Sequence, residues 1–451
     1  MLATAKDITP SKCSERVSNL RKKILRTPEI CTERGYFWTE SYKKTELEPE
    51  MIRRARALEN VLNNMTISIE DEELIVGRAT SKMRGGPILP EFQWKWYLDE
   101  MDTISTRYCE RFSPLSEKEK ERMKEILPYW EGKSIYDKWK VMVPEEALRY
   151  HNKIDGLGAF CSSNMHFCHT APDYEIVLKQ GLTGVRELVD REIGKLDLSN
   201  SEDLNRYHFH RAANMTLDAT IGFAERYSEL AGQMAQKESD AQRKAELEKI
   251  AETCKHVPAN PARSFYEALQ SVWFVYIVCM IEGWGAGIAF ARADQYLYPF
   301  YKKDRDAGTL TDEEARELIA LLYVKMNGLT LVTDSQSTQW GGGFPNFSNV
   351  VLGGVTREGK DAVNELSYLF LDAEEDVRLT GEELIIRINR LTPEAFIIRA
   401  CEVLRTVKGK HKILSDETAI QLLLLSGKPL EWARDYIVGG CSRYGNRLMG
   451  I

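Results

Sequence analysis

The residues best suited to chemistry close the last apolar run of the chain. Tyr436-Ile437-Val438 is followed by Gly439-Gly440 and then by Cys441. Tyr, Ile and Val favour a strand. The two glycines stop it, because glycine turns the backbone through positive φ without steric cost. A thiol on such a loop tip is placed to react. A lone cysteine at a strand end is more commonly a small buried hydrophobe, and these residues alone leave both readings open. Cys254, Cys279 and Cys401 lie in helical text, where burial accounts for them.

Other chemically capable groups are weaker. Cys161, His166, Cys168 and His169 have metal-ligand side chains but lack the paired spacing of a zinc site. His208 and His210 would share a face only on a strand; the text around them is helical, so surface or capping histidines are expected. No Walker loop and no G-x-G-x-x-G occurs. Gly283, Gly285 and Gly287, like Gly341 to Gly343, are spaced as turns rather than as a phosphate cradle.

The elements that must position Cys441 are read from periodicity. Residues 11–65 carry apolar side chains at helical spacing, among them Leu20, Ile24, Ile52, Ala55 and Leu58. Residues 67–78 read as a short extended pass, and 85–99 as a loop holding Gly85-Gly86-Pro87. Ser116 is placed as an N-cap. Helices are expected after His169-Thr170-Ala171-Pro172-Asp173-Tyr174, through 183–255, over 264–282, and twice within 294–327. After Leu329, strands alternate with helices as in an α/β protein.

Composition sets outer bounds. The 451 residues are 43% hydrophobic and 29% charged, with a net charge of −7. That balance describes a globular chain with ample core and offers no electrostatic case for nucleic acid or a membrane surface. Nine scattered cysteines without a C-x-x-C suit reduced thiols in a cytoplasmic protein. The N-terminus lacks a signal-peptide core, and the run from Val272 to Ile281 is too short to span a bilayer.

Several motifs then add up. In order they are Glu73-Leu74-Ile75-Val76-Gly77, Pro90-Glu91-Phe92, His169 to Tyr174, Arg292-Ala293-Asp294-Gln295-Tyr296, Gly353-Gly354-Val355, Asn364-Glu365-Leu366-Ser367 and Gly439-Gly440-Cys441. With these, the chain resembles the glycyl radical enzymes, the family that includes pyruvate formate-lyase, glycerol dehydratase and choline trimethylamine-lyase. The resemblance runs from about residue 40 to Cys441 and is closest to the dehydratase and lyase branch. It implies an α/β fold: half of a ten-stranded barrel wrapped by many helices, with a helical N-terminal region. Residues 1–441 would form a pyruvate formate-lyase-like domain, and 442–451 a tail that does not match the family.

The resemblance also implies a mechanism. Cys441 would be the catalytic thiyl carrier, and His169, Trp284 and Phe344 would lie on the substrate side. No cofactor is expected to be bound. The radical would rest on a glycine installed by a radical S-adenosylmethionine activase. The expected partners are a small-molecule substrate, that activase and a second copy in a homodimer, with no nucleic acid and no membrane. Two departures are visible. Arg443 stands where dehydratases of the family carry Glu as general acid/base, and no Arg-Val-x-Gly-Tyr loop follows. Arg34-Gly35-Tyr36 is in the wrong place to supply that loop. The resemblance therefore implies an N-terminal portion of a radical dehydratase or lyase that breaks a C–O, C–N or C–C bond, inactive by itself. A decarboxylase or a fumarate-adding synthase on the same scaffold is one alternative, and an inactive half-barrel with a binding role is another.

Overall fold

The computed structural model describes residues 13–148, 170–284, 287–335, 337–339, 343, 348–407, 410–440 and 443–445. The N-terminal region is helical as its spacing predicts, in Glu15–Ile24, Glu33–Lys44 and Glu50–Asn64. Ile52, Ala55, Leu58 and Leu62 line the buried side of the third of these. Ser116 caps Glu117–Ile126 through a capping box with Glu119.

Two short strands escape the sequence pattern. β1 (Glu29–Cys31) and β2 (Gly85–Pro87) pair in parallel, and Gly85 bridges onward to Leu329. Gly-Gly-Pro reads as a loop because a strand this short shows no alternation. Close approach makes it a strand: a Cβ at Gly86 would sit 2.3 Å from the Thr330 carbonyl oxygen, so only glycine lets the chains meet. Residues 67–78 are not a strand. Val76 exchanges two hydrogen bonds with the Gln270 amide at 2.9 and 2.8 Å, and the Trp273 indole donates to Gly77 O at 3.0 Å. Helix side chains thus satisfy a buried backbone that has no ladder.

Those side chains belong to Phe265–Gly283, which is buried on nearly all sides. It is long and apolar enough to cross a membrane, but it lies inside the protein, stacking Tyr276 on Phe290 at 4.2 Å. A helix apolar all round is a core helix when other elements cover it. Tyr174–Ile193, Ser201–Lys237 and Ala241–His256 supply much of that cover. His210 is buried in mid-helix rather than capping one, and Cys401 is exposed, so burial does not explain that cysteine.

The α/β part is a parallel sheet of β3 (Ser348–Gly353), β4 (Glu382–Ile388) and β5 (Lys412–Ser415). The segment around Ala291 extends it beyond β3, and Thr170 O accepts from Ala289 N. Helices Glu365–Val377 and Glu394–Thr406 connect the three strands. They pack on one face, where Phe370 and Phe396 meet Val350, Leu352, Leu384 and Ile386. β6 (Ile437–Gly439) and helix Asp416–Leu425 lie on the other face, against Val351 and Ile385. This is the partial α/β barrel that the motifs imply.

A buried charge cluster fixes the start of β4. Lys410 Nζ donates to Glu374 at 2.9 Å, to Glu382 at 2.5 Å and to Leu379 O at 2.6 Å. Burial, and then the neighbouring Glu374, push Glu382 up to about 7. Burial, and then Lys410, depress His411 to about 3, so it is neutral and accepts from Leu384 N at 2.9 Å. A carboxyl raised from 4.5 to about 7 holds a proton in the fold that the unfolded chain releases. Its stabilisation is present below pH 4.5 and is lost as pH rises toward 7, by about 3 kcal/mol. His411, held neutral in the fold, gains stability as pH rises through 6.5 and largely offsets this loss. Wild type should therefore melt at nearly the same temperature at pH 5.5 and 7.5. Glu382→Gln, which keeps only the His411 contribution, should melt higher at pH 7.5 than at pH 5.5 in scanning calorimetry; an unchanged pH slope in the variant would count against the cluster.

The opposite end of the sheet is apolar and open. Among the described residues β5 pairs only with β4. Ile413, Leu422, Leu430 and Trp432 are exposed beside it, and Leu425 is 87% exposed. An exposed edge with an apolar surround associates with another chain. Light scattering of the 51.7 kDa chain should show a mass that grows with concentration, and Leu425→Glu should reduce it. A monomeric mass up to the solubility limit would contradict this.

Candidate active site

β6 enters the molecule where the β3–β5 sheet has no helices connecting its strands. Val438 packs with Val351 and Ile385, and Ile437 is equally buried. β6 pairs antiparallel with β7 (Arg443–Gly445), with Gly439 opposite Arg443. Gly440 takes φ 60, as a residue ending a strand in a sharp turn must. The strand at 437–439 and its glycine stop are as the sequence predicts. Cys441, His169 and Phe344 lie outside the described residues, as does the Cys161–His169 cluster.

The root of β6 is held by charge. Arg387, on β4 and fully buried, donates to Tyr436 O at 3.0 Å and to Arg434 O at 2.7 Å. The same guanidinium forks onto the Asp416 carboxylate at 2.8 and 3.1 Å and lies 3.8 Å over the Tyr436 ring. Tyr436 in turn donates its hydroxyl to Asp416 at 2.9 Å. Arg292 donates to Asp435 and to Gly353 O, both at 3.0 Å. Arg357 reaches the second oxygen of Asp435 at 2.8 Å. Burial, and then the neighbouring Arg387, lower Arg292 to about 10, which still leaves it charged at neutral pH.

Asp294 completes the arrangement. It accepts from Gly353 N at 2.8 Å and from the Ser367 hydroxyl at 2.6 Å, and burial raises its pKa. Asn364 caps Glu365–Val377 and donates to Asp294 O at 2.9 Å. Four of the sequence motifs, around 292–295, 353–355, 364–367 and 434–440, thus meet at the carboxyl ends of β3 and β4. Ligands of open parallel sheets bind at such ends.

Trp284 is described and fully buried. It ends helix Phe265–Gly283 in the left-handed region, at φ 40 and ψ 60, donating its backbone N–H to Met280 O at 2.7 Å. A bulky side chain there costs about 1–2 kcal/mol and marks a position fixed by its surroundings. Its indole Nε1–H has no hydrogen-bond partner among the described residues. Buried polar groups are seldom left unpaired; the Trp38 and Trp96 indoles share this state.

Sequence reasoning passed over one polar row. Asn349 donates to Glu383 at 2.6 Å, and Glu383 pairs with Lys412 at 2.5 Å, on the face that carries β6. Asn349 Oδ1 is buried without a partner among the described residues. The signal was an asparagine inside the otherwise apolar run Ser348–Gly353. Arg34, by contrast, is structural: it pairs with Glu91 at 2.6 Å and donates to Ile281 O and Glu282 O. Among the described residues no group of His, Cys, Asp and Glu is arranged to hold a metal.

A family model described as pyruvate formate lyase-like matches residues 9–447. The chain is 34% identical over 444 residues to isethionate sulfite-lyase of Nitratidesulfovibrio vulgaris, covering 95% of this chain and 53% of that one. It is 33% identical over 434 residues to (2S)-3-sulfopropanediol dehydratase of Klebsiella oxytoca, covering 94% and 52%. The glycerol-bound B12-independent glycerol dehydratase of Clostridium butyricum superposes with a TM-score of 0.93 at 36% identity, over 98% of this chain and 56% of that one. The chain spans about half the length of the curated relatives it matches. With its motifs gathered at the ends of one parallel sheet, the chain belongs to the pyruvate formate lyase-like family of glycyl radical enzymes.

Proposed function

We propose that this chain supplies the thiyl-bearing half of a cytoplasmic, oxygen-sensitive glycyl radical lyase or dehydratase. The observation that carries the reading is β6, a buried strand on the sheet face away from the connecting helices, followed by the positive-φ Gly440 immediately before Cys441. The Cys441 sulfur, as a thiyl, takes a hydrogen atom from a substrate C–H bond. The substrate radical loses its leaving group with a proton, and the product radical takes the hydrogen back from the thiol. No external oxidant is consumed. A glycyl radical supplies the stored electron vacancy. The 451 residues contain no Arg-Val-x-Gly-Tyr; in this proposal the glycine lies outside them, charged by a radical S-adenosylmethionine activase.

The substrate class follows from the relatives and from Trp284. The substrates named for the relatives reported above are small and hydroxylated. An unpartnered, buried indole N–H suits a hydroxyl or sulfonate oxygen. His169 and Phe344 are assigned to the same substrate side, and a dry enclosure protects the radical. We assign no general base to Arg443, a guanidinium that stays protonated.

Two measurements test this. The chain with activase alone should give no glycyl doublet in electron paramagnetic resonance. Combined with a polypeptide bearing the glycine loop, it should convert a small hydroxylated substrate, with isethionate and glycerol as first probes. Cys441→Ser should then lower product formation at least about 1,000-fold, as for loss of a nucleophile that acts in every turnover. Turnover by Cys441→Ser close to wild type, or a doublet from the chain alone, would overturn the reading.

A further inference from the structure

We propose that Arg292, Arg357 and Arg387 are positioning residues that set the register of β6, and through it the place of Cys441. The inference rests on the reading of Cys441 as the thiyl carrier. Three consecutive residues, Arg434, Asp435 and Tyr436, are each gripped by at least one of these guanidinium groups. They stand five to seven positions before Cys441. The grips come from three places: Arg292 from the stretch before β3, Arg357 from the loop after β3, and Arg387 from β4. Each also engages the sheet end or the neighbouring loop. Arg292 holds Gly353 O, Arg387 holds Asp416 at the end of β5, and Arg434 donates back to Arg357 O at 3.1 Å.

Such an arrangement tolerates one register. A slip of a single residue would take the Asp435 carboxylate away from two arginines and leave Arg292, 2% exposed, without its anion. A buried charge that loses its partner is strongly unfavourable, whereas an intact pair adds little net stability. The network therefore specifies position more than it adds stability. Hydrogen-atom transfer needs that specificity, since a misplacement of about 1 Å can cost about 100-fold in rate. A single salt bridge would fix one end of Asp435; the two oxygens, each bound by a different arginine, also fix its rotation.

The test reads the thiol directly. Iodoacetamide labelling of each cysteine is followed by peptide mass spectrometry in wild type, Arg357→Gln, Arg387→Lys and Asp435→Asn. Cys401 serves as the exposed reference and Cys254 as the buried one. Cys441 labelling should change about tenfold in each variant, the scale of one lost charge-assisted hydrogen bond. The pH midpoint of labelling should also move, and Cys254 and Cys401 should keep their wild-type rates. Arg387→Lys should not rescue, because an ammonium lacks the planar fork that reaches a carboxylate and two carbonyls together. Cys441 rates within about twofold of wild type in all three variants would overturn the proposal. So would a rise shared by Cys254, which would mark general loosening. The outcome is independent of turnover: if Cys441→Ser retains activity, the thiyl reading fails while the labelling still decides the anchoring.

Discussion

A guanidinium with no solvent contact must be answered by an anion, and Arg387 is answered by Asp416. Both are essentially inaccessible to water, and the fork between them is bidentate. Desolvating two charges costs several kcal/mol each, recovered only with near-ideal geometry and with the remaining donors satisfied. Arg387 meets that demand by spending its other N–H groups on Arg434 O and Tyr436 O. The need to satisfy one buried arginine thus binds β4, the start of the helix after β5 and the root of β6 together. Removing any of the three would leave the other two with an orphaned charge or carbonyl.

The same constraint explains why the motifs that mark the family are so far apart in sequence. Arg292 and Asp294 serve opposite purposes two residues apart: one side chain reaches Asp435 and Gly353 O, the other accepts from Gly353 N and Ser367. Asn364 and Ser367 form the cap of the next helix while holding Asp294. These residues orient the sheet end from which β6 departs, which is work for a fixed geometry rather than for a particular substrate. Relatives named for isethionate, sulfopropanediol and glycerol fit that division of labour.

Much of the fold was legible because its signals are local. Helical spacing placed the N-terminal helices, Ser116 announced its cap, and Tyr436-Ile437-Val438 ahead of Gly439-Gly440 placed β6. What was missed is non-local. β1 and β2 pair residues more than fifty positions apart, and β2 also lies against Leu329 and Thr330, where only Gly86 leaves room; no window of Gly-Gly-Pro reveals either contact. The polar row of Asn349, Glu383 and Lys412 needs three strands in register before it exists. At the candidate site the sequence named Trp284 but could not show its left-handed backbone or its unpaired indole.

The glycines after β3 show how tightly the backbone follows from the charge network. Gly354 has φ 82, and a Cβ there would lie 2.5 Å from Arg387 Nε and 2.9 Å from an Asp416 oxygen. The preceding Gly353, at φ 70, offers its carbonyl to Arg292 and its N–H to Asp294 at once. Any side chain at 354 would have to displace a guanidinium that is itself tied to Asp416, Arg434 and Tyr436. Gly354 is therefore not required by the turn alone. It is the space that Arg387 needs, and through Arg387 it reaches the strand that carries the cysteine.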